Sequence, residues 1–169
     1  MKRLSPGPII FNSIRQGEIY DARKEIPGWN DIGFSDNEWY QPVVVNGPRG
    51  DMKAQMIQPV KITSFVLPKT IKEPKPGIYV FDLEKNIAGF VQLKIKAPAG
   101  TEITLKYAEG LNQDGTVNQA DIAQHIEGGV VQTDKYICRG KGIETWHPSF
   151  VYYGFLMQIV VDIRNDHPT

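Results

Sequence analysis

Alternation of apolar and polar side chains, interrupted every few residues by glycine or proline, limits this chain more than any other feature. Phe90, Gln92, Lys94 and Lys96 alternate with Val91, Leu93 and Ile95; Pro98-Ala99-Gly100-Thr101 comes next as a turn; then Ile103, Leu105 and Tyr107 alternate with Thr104 and Lys106. A period of two sends successive side chains to opposite faces of a strand, so Phe90 to Glu109 predicts a β-hairpin with one dry and one mostly wet face. Further strands are expected at Lys61 to Leu67, Tyr79 to Leu83, Thr133 to Arg139 and Gly154 to Val161, where Phe155, Met157, Ile159 and Val161 share a face. Strands repeating at this spacing predict a sandwich or barrel. Sixteen glycines and twelve prolines in 169 residues fit a turn-rich, helix-poor chain. Only Asn118 to Ile126 suggests helix, about two turns with Ile122 and Ile126 on one side. Pro68 to Gly77, rich in proline and lysine, reads as an extended connector.

The first fifty residues have a different texture. Pro6, Pro8, Pro27, Pro42 and Pro48 separate short β-like pieces, predicted as strands at Ile9 to Asn12, Glu18 to Arg23 and Tyr40 to Val45. Gly28-Trp29 and Phe34 to Trp39 read as turns anchored by large aromatics. Such a region buries little by itself, so it is expected either to pack on the later strands or to be the tail of a preceding domain. The expected division is residues 1–50 as that tail, 53–163 as a sandwich domain and 164–169 as a C-terminal tail.

Nineteen basic residues balance nineteen acidic ones, so no long-range field favours nucleic acid or an anionic membrane surface. Apolar runs such as Phe155 to Val161 fall well short of the roughly 20 residues that span a bilayer. A soluble protein is expected. Met1-Lys2-Arg3-Leu4-Ser5-Pro6 carries two positive charges but no apolar signal core, which leaves localisation open. Cys138 is the single cysteine, excluding an intrachain disulfide.

Three ordered motifs resemble the bacterial α-L-rhamnosidases. The first is Gly17-Glu18-Ile19-Tyr20-Asp21-Ala22-Arg23, with Gly28-Trp29 and Phe34 to Trp39 after it. The second runs from Gly77-Ile78-Tyr79-Val80-Phe81-Asp82-Leu83 through Asn86-Ile87-Ala88-Gly89-Phe90, Pro98-Ala99-Gly100-Thr101 and Tyr107-Ala108-Glu109 to Asp114-Gly115. The third joins Thr133-Asp134-Lys135-Tyr136, Trp146-His147-Pro148-Ser149-Phe150 and Tyr152-Tyr153-Gly154-Phe155. The family usually has Gly-Gln where Glu84-Lys85 stand, Trp where Phe90 stands, and Arg-x-Tyr where Leu156-Met157-Gln158 stand.

The resemblance implies an all-β, antiparallel β-sandwich of jelly-roll or concanavalin-like type, preceded by a short β segment from a sugar-binding-like domain. It also implies that this chain is a non-catalytic accessory piece. The parent activity would be inverting hydrolysis of terminal α-L-rhamnose from glycans and glycosides, with the acids on an α/α barrel placed after Val161. Inversion needs two carboxyl groups roughly 6.5–9.5 Å apart, and no residue here is assigned to either role. The implied partners are that catalytic barrel and rhamnose-containing carbohydrate. A free carbohydrate-binding module is the second reading, and a protein-interaction domain the third.

Other chemistry has little support in the sequence. His125, His147 and His167 lack metal-ligand spacing, and there is no nucleophile elbow, phosphate-cradling glycine loop or HExxH. No cofactor is expected. Asn112, Asp114, Asn118 and Asp121 place oxygen ligands at close intervals, as a calcium loop would; the competing and favoured reading is a turn, since Asp114-Gly115 bonds its own backbone readily. For sugar, Trp29 could stack on a ring while Asp82, Asn86 or Asp134 bond hydroxyls. Trp39 and Trp146 are expected as core residues, and Trp29, after Pro27-Gly28, as exposed. Arg49-Gly50-Asp51 reads as a chance match to an adhesion tripeptide.

Overall fold

The computed structural model describes residues 6–164 except 48, 125 and 127, without the side chains of 156–162 and 164. Expectations that fall on Met1 to Ser5, His125, His167, the tail beyond Arg164, or the shared face of Met157, Ile159 and Val161 lie outside the described residues.

The strands are β1 (Ile9–Ser13), β2 (Gly17–Asp21), β3 (Thr70–Lys75), β4 (Ile78–Gly89), β5 (Leu93–Ile95), β6 (Glu102–Ala108), β7 (Gly110–Leu111), β8 (Val117–Asn118), β9 (Thr133–Ile137), β10 (Glu144–Trp146) and β11 (Tyr153–Arg164). A short 3₁₀ turn succeeds β2 at Ala22–Lys24, and α1 is only Ala120–Ala123. Seven strands form one sheet in the order β1-β2-β9-β6-β11-β4-β3, antiparallel throughout except for the parallel β2–β9 pair. The fold is an all-β sandwich.

The opposing layer comes from β5 paired with β10 and from the far halves of β4 and β11. Both long strands bend at an irregularity between Leu156 and Gln158, opposite Asn86 and Asp82. Tyr107 pairs in register with Ile159, yet its ring lies 4.6 Å from Tyr153 and 5.1 Å from Phe155. A straight strand at about 3.3 Å per residue would carry Tyr153 some 20 Å away, so β11 folds back over the sheet. Glu84 sits at this corner with φ 51°, the left-handed region that favours glycine, while its amide donates to Asp82 Oδ1 at 2.8 Å. The core between the layers holds Leu83, Leu93, Ile103, Leu105, Tyr107, Tyr136, Cys138, Trp146, Tyr153 and Phe155.

Several expectations need correction. Residues 90–109 are two strands but not a hairpin: β5 pairs with β10, whereas β6 pairs with β9 and β11. The Pro98–Thr101 turn carries the chain between layers, tied by Gly100 N–H to Cys138 O at 2.7 Å. Alternation reports which face a side chain takes, not which strand lies beside it. Tyr40 to Val45 and Lys61 to Leu67 are not strands, apart from an isolated bridge at Tyr40. Val43, Val44 and Val45 stand exposed, and β-branching favours a strand only where there is a pleated surface to pack against. Pro68 to Gly77 contains edge strand β3, where Pro74 is tolerated beside a register shift between Lys72 and Lys75. The helix at Asn118 to Ile126 shrinks to one turn that buries no residue.

Candidate functional site

The inward face of β9 places Asp134 where an apolar residue would ordinarily pack, two positions from Tyr136 and four from Cys138. Asp134 is fully buried. Its Oδ1 accepts from the Tyr153 hydroxyl at 2.7 Å and from Glu18 N–H at 2.9 Å, and its Oδ2 accepts from the Tyr107 hydroxyl at 2.8 Å. One carboxyl thus ties β2, β6, β9 and β11 together. Burial pushes its pKa above the ordinary value, against the lowering effect of these bonds.

Glu18, on the same face of β2, is also fully buried. Its carboxylate accepts from Ser149 N–H at 3.1 Å, Phe150 N–H at 3.2 Å and Asn12 Nδ2 at 3.2 Å. Burial raises its pKa and the nearby Asp134 charge adds to that, while the two amides oppose it. The hydroxyls of Tyr107 and Tyr153 are pushed up by burial and by the charge of Asp134.

A second cluster lies beside the first. Glu144 accepts from the Tyr136 hydroxyl at 2.8 Å and from the amides of Arg139 and Gly140 at 2.9 Å. Burial alone would raise its pKa, but these donors outweigh that and hold it below the ordinary value. Tyr136 stacks on Trp146 at 5.2 Å and on Tyr20 at 5.9 Å. Arg139 pairs with Glu25, which also accepts from the Tyr20 hydroxyl. The Cys138 thiol, fully buried, is pushed up to about 11 by burial and by the Glu144 charge.

These clusters hold strands together. Every oxygen of Glu18 and Asp134 accepts a bond inside the core, and neither carboxyl opens onto a cleft.

The residues singled out for sugar lie on separate elements. Trp29 is 62% exposed in the irregular segment after the 3₁₀ turn, and no hydrogen bond or ring contact links it to the other three. Asp82 precedes the β4 corner and accepts from Glu84 N–H, whereas Asn86 is exposed beyond it. Asp134 is enclosed as described. Trp146 is a core residue, while Trp39 is half-buried and packs against Phe34 at 5.6 Å.

The suggested calcium loop is the turn of the β7–β8 hairpin. Asp114 Oδ1 accepts from the Thr116 amide and hydroxyl, and Oδ2 accepts from Lys75 Nζ at 2.6 Å. Asn112 Nδ2 donates to Val117 O, and Asn118 Oδ1 accepts from Ala120 N–H. Asp121 is exposed on α1. Among the described residues no group of three or more His, Cys, Asp or Glu side chains is placed to hold a metal ion. No helix among them is long and apolar enough to cross a membrane.

Sequence reasoning passes over Glu18, Tyr107, Tyr136, Glu144 and Tyr153, and it picks out Asp134 for a surface role. The available signal is an acid on an inward position of an alternating strand, Asp134 in phase with Tyr136 and Cys138.

Comparison with known proteins agrees with this architecture. The family described as bacterial alpha-L-rhamnosidase concanavalin-like domain matches residues 72–163, and that described as alpha-L-rhamnosidase N-terminal domain matches residues 2–64. An alpha-L-rhamnosidase of Streptomyces avermitilis is 38% identical over 157 residues, covering 90% of this chain and 14% of the relative. A solved alpha-L-rhamnosidase from Dictyoglumus thermophilum superposes with TM-score 0.88 at 34% identity, over 99% of this chain and 18% of that one. The Streptomyces avermitilis enzyme solved with L-rhamnose gives TM-score 0.83 at 37% identity, over 98% and 16%. This chain therefore spans about one-sixth of the length of these proteins.

Proposed function

The chain belongs to the bacterial alpha-L-rhamnosidase family, and from that premise we propose that it is a non-catalytic accessory module that braces a catalytic barrel. The supporting observation is that residues 72–163 match a concanavalin-like domain and that the whole chain covers only 14% and 18% of the length of two relatives. The arrangement of its acids supports the same reading. Glu18, Asp134 and Glu144 spend their oxygens on core hydroxyls and amides, where neither protonation of a leaving group nor activation of water has access to them. The parent activity in this reading is inverting release of terminal α-L-rhamnose.

The proposed division assigns residues 1–50 to the end of an N-terminal β domain, 53–163 to the sandwich and 164–169 to a tail. It is a division of sequence more than of structure, because β1 and β2 hydrogen-bond into the sandwich sheet. Purified alone, the chain is expected to release no rhamnose from an aryl rhamnoside. Turnover that survives repurification refutes the proposal.

The exposed Trp29 favours a second reading, a module that binds rhamnose with Trp29 as platform and Asp82 or Asn86 as hydroxyl partners. Rhamnose titrated against tryptophan fluorescence separates the two. A saturable shift lost in Trp29→Ala supports binding, and a flat response into high millimolar supports scaffolding.

A further inference from the structure

The N-terminal ribbon β1–β2 is anchored to residues more than a hundred positions away. Thr133 N–H donates to Gln16 O at 2.8 Å and Gln132 N–H to Arg15 O at 2.9 Å. Glu18 receives the Ser149 and Phe150 amides and donates its own amide to Asp134. The Tyr20 ring lies against Tyr136 and Trp146, each 5.9 Å away, and Ala22 is buried in the core. Glu25 closes the series by pairing with Arg139. Gly17 passes so close to β9 that a Cβ there would come within 1.9 Å of Thr133 O, a fit that no other side chain allows.

The connector beyond this ribbon makes few such contacts. Among the described residues between 41 and 67 there is no strand or helix, and Met52, Met56, Ile57, Val60 and Leu67 are each at least 77% exposed. The ribbon is therefore held by its own contacts and not by the connector.

We propose that the edge of β9, Trp146 and the 148–150 turn form a docking groove for a short strand with its two flanking turns, occupied by this chain's own residues 15–25. The groove recognises a glycine at the crossing point, a carboxylate that fills the nest of Ser149 and Phe150 amides, and a tyrosine that completes the stack on Tyr136. Strand addition gives affinity through the backbone, and these side chains give register. The clasp fixes the N-terminal region against the sandwich whatever path the connector takes.

The test is to insert one recognition sequence for a site-specific protease after Gly50 in the full chain, cut it, and run gel filtration at low micromolar concentration. The two pieces are expected to co-elute as one species. Elution of the N-terminal piece by itself overturns the proposal. Gly17→Ala is expected to speed release about tenfold or more, while Gly7→Ala, with nothing within 4 Å of its added Cβ, leaves release unchanged. Equal release from both variants also refutes it.

Hydrogen exchange on the uncut chain gives an independent readout. Glu18→Gln is expected to speed exchange of the Ser149 and Phe150 amides about tenfold and to leave β6 amides unchanged. Unaltered protection of those two amides counts against the clasp.

Discussion

Replacing Asp134 with alanine tests the central claim that one buried carboxyl knits four strands together. The substitution strands the Glu18 amide and the Tyr107 and Tyr153 hydroxyls, three buried donors. Each unsatisfied donor costs about 1–3 kcal/mol, and removing a buried charge returns part of that. The expected net loss is about 3–5 kcal/mol, a large share of the roughly 5–15 kcal/mol that holds a domain folded. Asp134→Asn keeps the shape and one acceptor and should cost about 1–2 kcal/mol. Urea unfolding followed by tryptophan fluorescence reads the loss as a lower midpoint at unchanged slope, with the buried Trp146 among the reporters. A double-mutant cycle sharpens the test. Tyr107→Phe should cost about 1–2 kcal/mol in the native background and close to nothing beside Asp134→Ala, where the hydroxyl has already lost its acceptor. Strict additivity, or a loss below about 1 kcal/mol for Asp134→Ala, would show that this carboxyl does not tie the strands.

Stability should also vary with pH in two opposed limbs. Glu18 and Asp134 have folded pKa values above the ordinary 4.5 and 3.8, so the folded chain binds protons more tightly than the unfolded chain, and stability falls as pH rises from the ordinary carboxyl range through the raised values. Glu144 and Asp21 are held below the ordinary range, so their contribution is present above it and lost on acidification. Unfolding midpoints from about pH 3 to about pH 8 should therefore peak near the ordinary carboxyl range, and Glu18→Gln should flatten the alkaline-side decline; an unchanged decline contradicts this. Glu84→Gly should stabilise by about 0.5–1 kcal/mol, since glycine relieves the positive φ at the β4 corner but loses more backbone entropy on folding. A thermal midpoint about 1–4 °C higher checks it, and a lower one rules it out. Cys138 should resist a thiol reagent in the folded chain and react only as fast as the chain unfolds, and rapid native-state labelling would contradict its burial.

The strained corner shows how far local sequence can be read. The resembling family usually has Gly-Gln where Glu84-Lys85 stand, and the structure supplies a reason: β4 turns from one layer to the other there with φ 51° at residue 84. A residue type with that conformational freedom is visible in a sequence; the corner it serves is not.

Alternation along single strands was enough to establish an all-β chain, most of its strands, and inward positions such as Ile103, Leu105 and Tyr107. These follow from periods of two residues and from the backbone limits of glycine and proline, which act over a few neighbours. Partner choice was decided only in three dimensions. Whether β5 met β6 or β10, whether three consecutive valines found a surface to pleat against, and whether Asp134 faced a sugar or two tyrosine hydroxyls all depended on residues tens of positions apart. Burial and hydrogen bonding are properties of such long-range pairs, and the same acid that water would keep ionised at a surface becomes, once enclosed, the tie between four strands.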